Sequence, residues 1–521
     1  MNDRGSSTRR RFLREVPQRL ATLAWGAGAP MQPSRPSRKP NLVFVFSDQQ
    51  SSDMLGCYGN SQIFTPNLDR LAAQAVRFKH CVVNSPLCTP YRGLLLSGQH
   101  PLRTGAFEND LRMLPSEGHQ YLGEVLRDAG YRMGYVGKWH LYGGNRDRPI
   151  PPGPHRYGFD HYFLSNNCTL VFDAERAYYW TETGEKALYG DWEPYAQARQ
   201  AMRFIDANAD KPFALFVSFH PPHNWVGWPK PSGQRAPEDG YAAPEDLLKL
   251  YQPSAIRLRG NCADTPSARR MYQGYMAMCT SVDRACGWLM EKLEAKGIAE
   301  NTIVVFTSDH GDTLMSHGLR SNKMRPEIES IRVPLIIRYP RLLSPRTSEL
   351  LIGTLDLMPT LLSLMGLKPP STCQGRDLSR AIIEGRDDEV ESVPLFLFAL
   401  DWRGIYTRRY TYSFDTSAGR GCRYRRQYFS TPAGLSWNCL YDRESDPWEM
   451  NNLYDRADYR KVRERLHEQT LAWMKRFDDR GLPYEQIQQA IFTAEDYQLA
   501  QDPARWRMLS GILKGRPLDL L

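Results

Sequence analysis

Asn41-Leu42-Val43-Phe44-Val45-Phe46-Ser47 is an apolar run without alternation, and Asp48-Gln49-Gln50 follows it directly. A strand with one wet face alternates apolar and polar residues, so this run predicts a strand covered on both faces, as in a parallel sheet. The same rhythm recurs three times. Arg132–Val136 leads to Gly137-Lys138-Trp139-His140, Pro212–Phe219 to His220-Pro221-Pro222-His223, and Thr302–Thr307 to Asp309-His310-Gly311-Asp312. Helical spacing fills the intervals, as in Pro66–Val76 and, most clearly, Ala268–Lys296. Val333–Arg338 reads as a further strand, and Leu355–Met365 as a helix with Pro359 near its first turn. Alternating strands and helices predict an α/β fold: a large, doubly wound, mostly parallel sheet flanked by helices, with ligands bound outside the carboxyl ends of the strands. Four apolar strands each deliver ionisable residues to that edge. Amphipathicity does not require this, so their convergence points to a single site.

Near residue 385 the pattern changes to shorter alternating strands, Leu395–Leu400 and Gly404–Phe414, followed by an aromatic and Arg-rich section and a helix over Tyr459–Phe477. The expected organisation is therefore a leader and linker over 1–40, a catalytic domain over 41–385, and a smaller α+β domain with a short antiparallel sheet over 386–521. A chain of 521 residues has room for both cores. Its net charge of +9 suits an anionic substrate, and also plain solubility. No apolar stretch reaches the roughly 18 residues of a membrane span. The ten cysteines include no Cys-x-x-Cys pair, and Cys279 and Cys286 lie one heptad apart in a helical pattern, which favours core thiols over a disulfide framework. Thr8-Arg9-Arg10-Arg11-Phe12-Leu13-Arg14 looks like a twin-arginine export signal, followed by a short apolar stretch and Ala27-Gly28-Ala29. Export is the reading taken, with a cytoplasmic protein carrying a basic leader as its alternative.

The chemistry is concentrated at Cys88-Thr89-Pro90-Tyr91-Arg92, continued by Gly93-Leu94-Leu95-Leu96-Ser97-Gly98. Proline two residues on and a closing glycine place Cys88 at a helix N-terminus, where unpaired N–H groups and the helix dipole favour an anion. Arg92, one turn in, could clamp that anion. Asp48 and Asp309 end two separate strands, and an apposed carboxylate pair needs a cation or a shared proton. Lys138 and His140, two apart after a strand, fall on the same side if the extended form continues.

Cys-x-Pro-x-Arg with its Leu-rich turn resembles the signature of the formylglycine-dependent (type I) sulfatases of the alkaline-phosphatase superfamily, and the resemblance runs from about Asn41 to about Asp479. It implies an alkaline-phosphatase-like fold, hydrolysis of a sulfate monoester, and oxidation of Cys88 to an aldehyde whose hydrate is the nucleophile. By resemblance, Asp48, Gln49, Asp309 and His310 hold one divalent metal, with modified Cys88 supplying an oxygen. Many relatives carry Asp where this chain has Gln49 and Asn where it has His310. Oxygen ligands favour Ca²⁺, while the imidazole leaves Mn²⁺ or Mg²⁺ open. The resemblance also makes Lys138 a contact of nucleophile and sulfate, and His140 the base that deprotonates the second hydroxyl of the hydrate. His223 binds sulfate and serves the leaving group, and Lys323 contacts the ester oxygen, with Arg320 and Arg325 as competitors for that last role.

Trp225 and Trp228 could stack on a sugar, or simply pack in their loop. Arg403, Arg408, Arg409, Arg420, Arg423, Arg425 and Arg426 could meet a polyanionic glycan, or form a solvated or interdomain face. The expected partners are a small-molecule or glycan sulfate ester and, during maturation, a formylglycine-generating enzyme; nucleic acid is not among them. Two alternatives remain: a phosphonate or phosphate monoester hydrolase of the same superfamily, and a catalytically silent glycan-binding protein in which Cys88 stays a thiol.

Overall fold

The computed structural model describes residues 39–484 apart from 115–117, 144–145, 225–239, 320–322, 418–436 and 483. The leader, Trp225, Trp228, Arg320 and Arg420–Arg426 thus lie outside the described residues.

Eleven strands form the main sheet: β1 (Asn41–Asp48), β2 (Val76–Val82), β3 (Arg132–Lys138), β4 (Tyr162–Asn166), β5 (Tyr178–Trp180), β6 (Lys186–Leu188), β7 (Phe213–Pro222), β8 (Thr302–Ser308), β9 (Arg332–Val333), β10 (Leu335–Arg338) and β11 (Arg346–Gly353). Their order is β11-β2-β10-β8-β1-β7-β3-β4-β5-β6, with β9 paired to β2. From β8 to β4 all neighbours are parallel, whereas β10 runs antiparallel to both β8 and β2. The sheet is therefore mixed, with a parallel centre.

That centre is covered on both faces, as the unalternating run of β1 requires. Leu42, Phe44 and Phe46 pack into one core with Leu94 and Leu95 of the Cys88–Ser97 helix and Leu361 and Leu362 of the Thr354–Leu364 helix. Val43 and Val45 enter a second core with Ala198 and Ala201 of the Glu193–Asn208 helix and Val282 and Ala285 of the Pro266–Ala295 helix. Each such aromatic or branched side chain removed from water stabilises the fold by about 1.5–3 kcal/mol before entropy is counted.

Several elements differ from their sequence expectation. The helix beginning at Pro66 stops at Ala73, because Val76 and Phe78 are drawn into β2 beside β11. Pro334 cannot donate to a ladder and splits Val333–Arg338 into β9 and β10. Pro359 lies inside its helix rather than near the first turn. Gly404–Phe414 is a hairpin, not one strand: β13 (Trp402–Thr407) pairs antiparallel with β14 (Tyr410–Asp415), and Thr407 Oγ1 accepts from Tyr410 N at 2.8 Å across the turn. With β12 (Ser392–Leu397) and β15 (Cys439–Asp442) they form a second, four-stranded sheet. The Arg460–Arg476 helix packs on it through Leu466, against Ile405, Tyr412 and Leu440. Cys279 and Cys286 are buried free thiols, and no disulfide occurs among the described residues.

The small sheet touches the catalytic edge. Trp402 Nε1 donates to Met324 O at 3.1 Å, and Met324 N donates to Pro86 O at 3.1 Å, so the chain beside Lys323 is pinned on both sides.

Candidate active site

The adjacent strands β8, β1, β7 and β3 end together, and each carries its polar residues to that edge. β1 terminates at Asp48, β3 at Lys138 and β7 at Pro222 just before His223, while Asp309 and His310 follow β8. Close strand approach is built in at Gly137, where φ is +107° and a Cβ would stand 2.1 Å from Ser218 O of β7. Only glycine tolerates both conditions.

Cys88 begins its helix, is fully buried and sits at the centre of the cluster. Its Sγ lies 3.2 Å from His310 Nε2, 3.3 Å from Lys323 Nζ and 3.8 Å from Asp48 Oδ1. Burial and the Asp48 carboxylate oppose ionisation of this thiol, but Lys138, Lys323 and His310 outweigh them and hold its pKa well below the usual value. Asp48 is desolvated by burial, which alone would raise its pKa; Lys138, which donates directly to Oδ2, with Lys323 and His310, brings it down instead.

Asp48, Cys88, Asp309 and His310 each offer a ligand atom, all buried and within 4.8 Å of one another. His310 Nδ1 donates to Gly311 O at 3.0 Å, which turns Nε2 toward both carboxylates at 3.5 Å; burial opposes a charged ring there, but Asp309 and Cys88 raise its pKa. Burial and the neighbouring Asp48 charge push the Asp309 carboxyl up to about 6. Two buried carboxylates under mutual repulsion beside an imidazole nitrogen fit a divalent cation, which would take the place of the Nε2 proton.

Arg92 is also buried, but its guanidinium is spent inside the protein. It pairs with Asp309 Oδ2 at 3.2 Å and donates to Lys138 O at 2.6 Å and Ser218 Oγ at 2.8 Å. Gln49, at φ +70°, turns its side chain so that Oε1 accepts from Lys323 Nζ at 3.0 Å and Nε2 donates to Asp312 Oδ2 at 2.7 Å. His223 Nδ1 donates to Asn224 O at 2.8 Å, and Nε2 accepts from Lys323 Nζ at 2.7 Å. This is a neutral imidazole, and burial together with Lys323 lowers its pKa to about 3. Arg325, the rival of Lys323, is paired with Glu327 and faces the Trp437 ring.

His140 departs from the expected arrangement. The extended form does not continue beyond Lys138, because His140 adopts φ +55°. Its Nε2 meets Asp110 Oδ1 at 3.0 Å, and Arg146 holds Asp110 with two further bonds at 2.7 and 2.8 Å. Burial works against the charged ring, but Cys168 and the Asp110 hydrogen bond raise its pKa to about 9. Such a shift favours the protonated ring, so an imidazole in this setting has a proton to lose before it can act as a base.

The Sulfatase profile matches residues 40–367, and that of the N-sulphoglucosamine sulphohydrolase C-terminal region matches 317–476. The chain belongs to the sulfatase family. It is 34% identical to an ulvan-active sulfatase of Formosa agariphila over 82% of this chain and 80% of that one. An endo-4-O-sulfatase of Bacteroides thetaiotaomicron is 27% identical, over 88% and 96% of the two chains. The solved structure of the YidJ protein of Bacteroides fragilis superposes with a TM-score of 0.73 at 29% identity, covering 87% of this sulfatase and 99% of that chain. The enzyme is thus a sulfuric ester hydrolase of alkaline-phosphatase-like fold. Its family implies a divalent metal and formylglycine, and the buried Asp-Cys-Asp-His cluster is compatible with both. Among the described residues, no helix is long and apolar enough to cross a membrane.

Asp110, Asn224 and Asp312 support the sulfatase site without having been singled out as site residues. Asp312 stood in the quoted Asp-His-Gly-Asp stretch, whereas nothing in the local pattern marks Asp110.

Proposed function

We propose that this sulfatase cleaves a sulfate ester of a sulfated glycan, with Cys88 converted to formylglycine and calcium held by Asp48, Gln49, Asp309, His310 and the modified residue. One observation carries the reading: Cys88 is sealed at a helix N-terminus among His310, Lys323 and Asp48, with its sulfur 3.2 to 3.8 Å from each. The ulvan and 4-O-sulfate specificities named for the relatives support a glycan. Largely oxygen ligands support Ca²⁺ over Mn²⁺ or Mg²⁺. Because Cys88 is fully buried, the formylglycine-generating enzyme must reach it before the chain folds. The twin-arginine-like leader supports export. The division at residue 385 is kept as the domain boundary, since the four-stranded sheet begins just after it, at Ser392.

Formylglycine hydrate and its cation together supply an acidified nucleophilic hydroxyl and a second geminal hydroxyl. The chain's own residues do the rest. Lys138 and Lys323 place positive charge beside the Cys88 position to receive the sulfate oxygens. Arg92 fixes Asp309 in register with Lys138 through its three bonds. The Lys323–His223 pair, 2.7 Å apart, shares a proton that can pass to the departing alkoxide. His140, oriented by Asp110, is the proton carrier for the second hydroxyl and must first give up the proton that Asp110 stabilises.

Comparison of kcat/KM for an aryl sulfate and the matched phenylphosphonate monoester, alongside sulfate release from a sulfated polysaccharide, tests the substrate class. Sulfate is expected to be preferred, with release from the polysaccharide. A large preference for phosphonate would move the enzyme to the other branch of its superfamily.

A further inference from the structure

An amide has one end that accepts and one that donates, so a glutamine at a cation site works only if something fixes its orientation. Gln49 has such a partner. Its Nε2 faces two acceptors, Asp312 Oδ2 at 2.7 Å and Asn224 Oδ1 at 3.3 Å, while Oε1 faces the Lys323 ammonium at 3.0 Å. Reversing the amide would set an NH₂ against the ammonium and an oxygen against the carboxylate. Both contacts would become repulsive.

Asp312 is itself immobilised. It is fully buried; Oδ2 also accepts from the Tyr241 hydroxyl, and Oδ1 accepts from Leu314 N at 2.9 Å. Its backbone N donates to Ser51 Oγ at 2.9 Å, and its backbone O accepts from Arg259 Nη1 at 2.8 Å. At Gly311 a Cβ would stand 1.9 Å from Glu329 O, so the turn that delivers His310 delivers Asp312 in one fixed relation to it. The Gln49 backbone is anchored as well, its O accepting from Tyr275 OH at 2.5 Å.

We propose that Asp312 is a positioning residue for the cation site: its carboxylate orients the Gln49 amide so that the nitrogen is held away and the oxygen faces Lys323, free to serve a cation that the site would hold. This rests on the reading of Asp48, Gln49, Asp309 and His310 as cation ligands. It predicts that negative charge can be exchanged between the two positions. In Asp312→Asn the introduced amide oxygen is retained by the rigid Leu314 N–H, which turns the introduced NH₂ toward Gln49 and forces the glutamine to reverse. In Gln49→Glu two carboxylates meet in a buried space. In the double variant the carboxylate at position 49 needs no orientation, because either oxygen can accept, one from the amide at position 312 and the other from Lys323.

The test is a titration of the full-length protein, stripped with EDTA, with Ca²⁺ alone, following the rise in Tm. Asp312→Asn is expected to shift the midpoint upward by about tenfold or more, as loss of an orienting partner does at metal sites, whereas Gln49→Glu, which adds negative charge, is expected not to raise it. The double variant should return to within about threefold of wild type, a coupling that independent sites do not show. An unchanged midpoint in Asp312→Asn, or a double variant that binds no better than Asp312→Asn, would overturn the proposal. If Asp312→Asn does not fold alone, recovery of a folded, Ca²⁺-responsive double variant is the rescue, and its failure to fold overturns the proposal too. A wild-type Tm indifferent to Ca²⁺, Mn²⁺ and Mg²⁺ would sink the cation reading first and this proposal with it.

Discussion

Replacing Cys88 by serine separates attack on sulfur from release of sulfate. A serine at the helix N-terminus still stands beside Lys138, Lys323 and His310, so its hydroxyl can be activated and attack. It has no second geminal hydroxyl, so no carbonyl can form to expel the sulfate. Cys88→Ser is expected to stop after at most one turnover and to keep sulfate on the serine-containing peptide, whereas Cys88→Ala binds substrate and is never labelled. Single-turnover incubation followed by peptide mass analysis distinguishes them, and sustained turnover by the serine variant would show that release does not need the hydrate. At this scale the residues readable from sequence were those whose position follows from the chain itself: Asp48 ending a strand, Asp309 and His310 following one, and Cys88 opening a helix. The left-handed turn after Lys138, which sends the His140 ring to Asp110, left no mark in the sequence. The pairing of Arg325 with Glu327 could not be read from the sequence, since it depends on how the turn before Ile328 folds.

Among the elements, the long Pro266–Ala295 helix caps another across the core. Asp283 accepts from Leu68 N at 2.7 Å and from Asn67 N and Nδ2 at 3.3 and 2.8 Å, serving the first turn of the Pro66–Ala73 helix. Burial nevertheless pushes its carboxyl up to about 6. A carboxyl raised in the folded state binds its proton more tightly there than in the unfolded chain, so stability falls as pH rises from about 4 to about 6, by about 3 kcal/mol over the window. Asp283→Asn should flatten the stability profile over that window in urea unfolding measured at several pH values. A slope equal to that of wild type would assign the pH dependence to other groups. The unalternating strands announced the parallel centre, because burial on both faces leaves its mark in every residue. The antiparallel β10 and the β13–β14 hairpin left no such mark: Pro334 and the Arg408-Arg409 turn decide them locally, inside apolar runs that read equally well as single strands.

For the molecule as a whole, the small sheet holds the chain beside Lys323, the residue proposed to receive sulfate oxygens. Trp402→Phe keeps an aromatic ring in the pocket and loses the bond to Met324 O. The expected result is a modest loss of stability, about 1 kcal/mol, with a disproportionate fall in kcat because Lys323 is less firmly placed. Stability and kcat measured on the same preparation check this, and an unchanged kcat would confine Trp402 to packing. The arginine run that suggested a polyanion surface is in part internal. Arg403 is buried against Asp479, and Arg409 is bonded to Asp442. Charge runs in a sequence do not show which guanidiniums face water, since pairing partners come from distant segments; here Asp479 lies 76 residues beyond Arg403.

The most direct measurement is the mass of the tryptic peptide containing Cys88, taken from wild-type protein that is turning over a sulfated substrate. Formylglycine predicts a peptide lighter than encoded by the difference between CH₂SH and CHO, together with loss of reactivity toward thiol alkylation at that position. An unmodified Cys88 thiol in fully active protein would contradict the aldehyde mechanism.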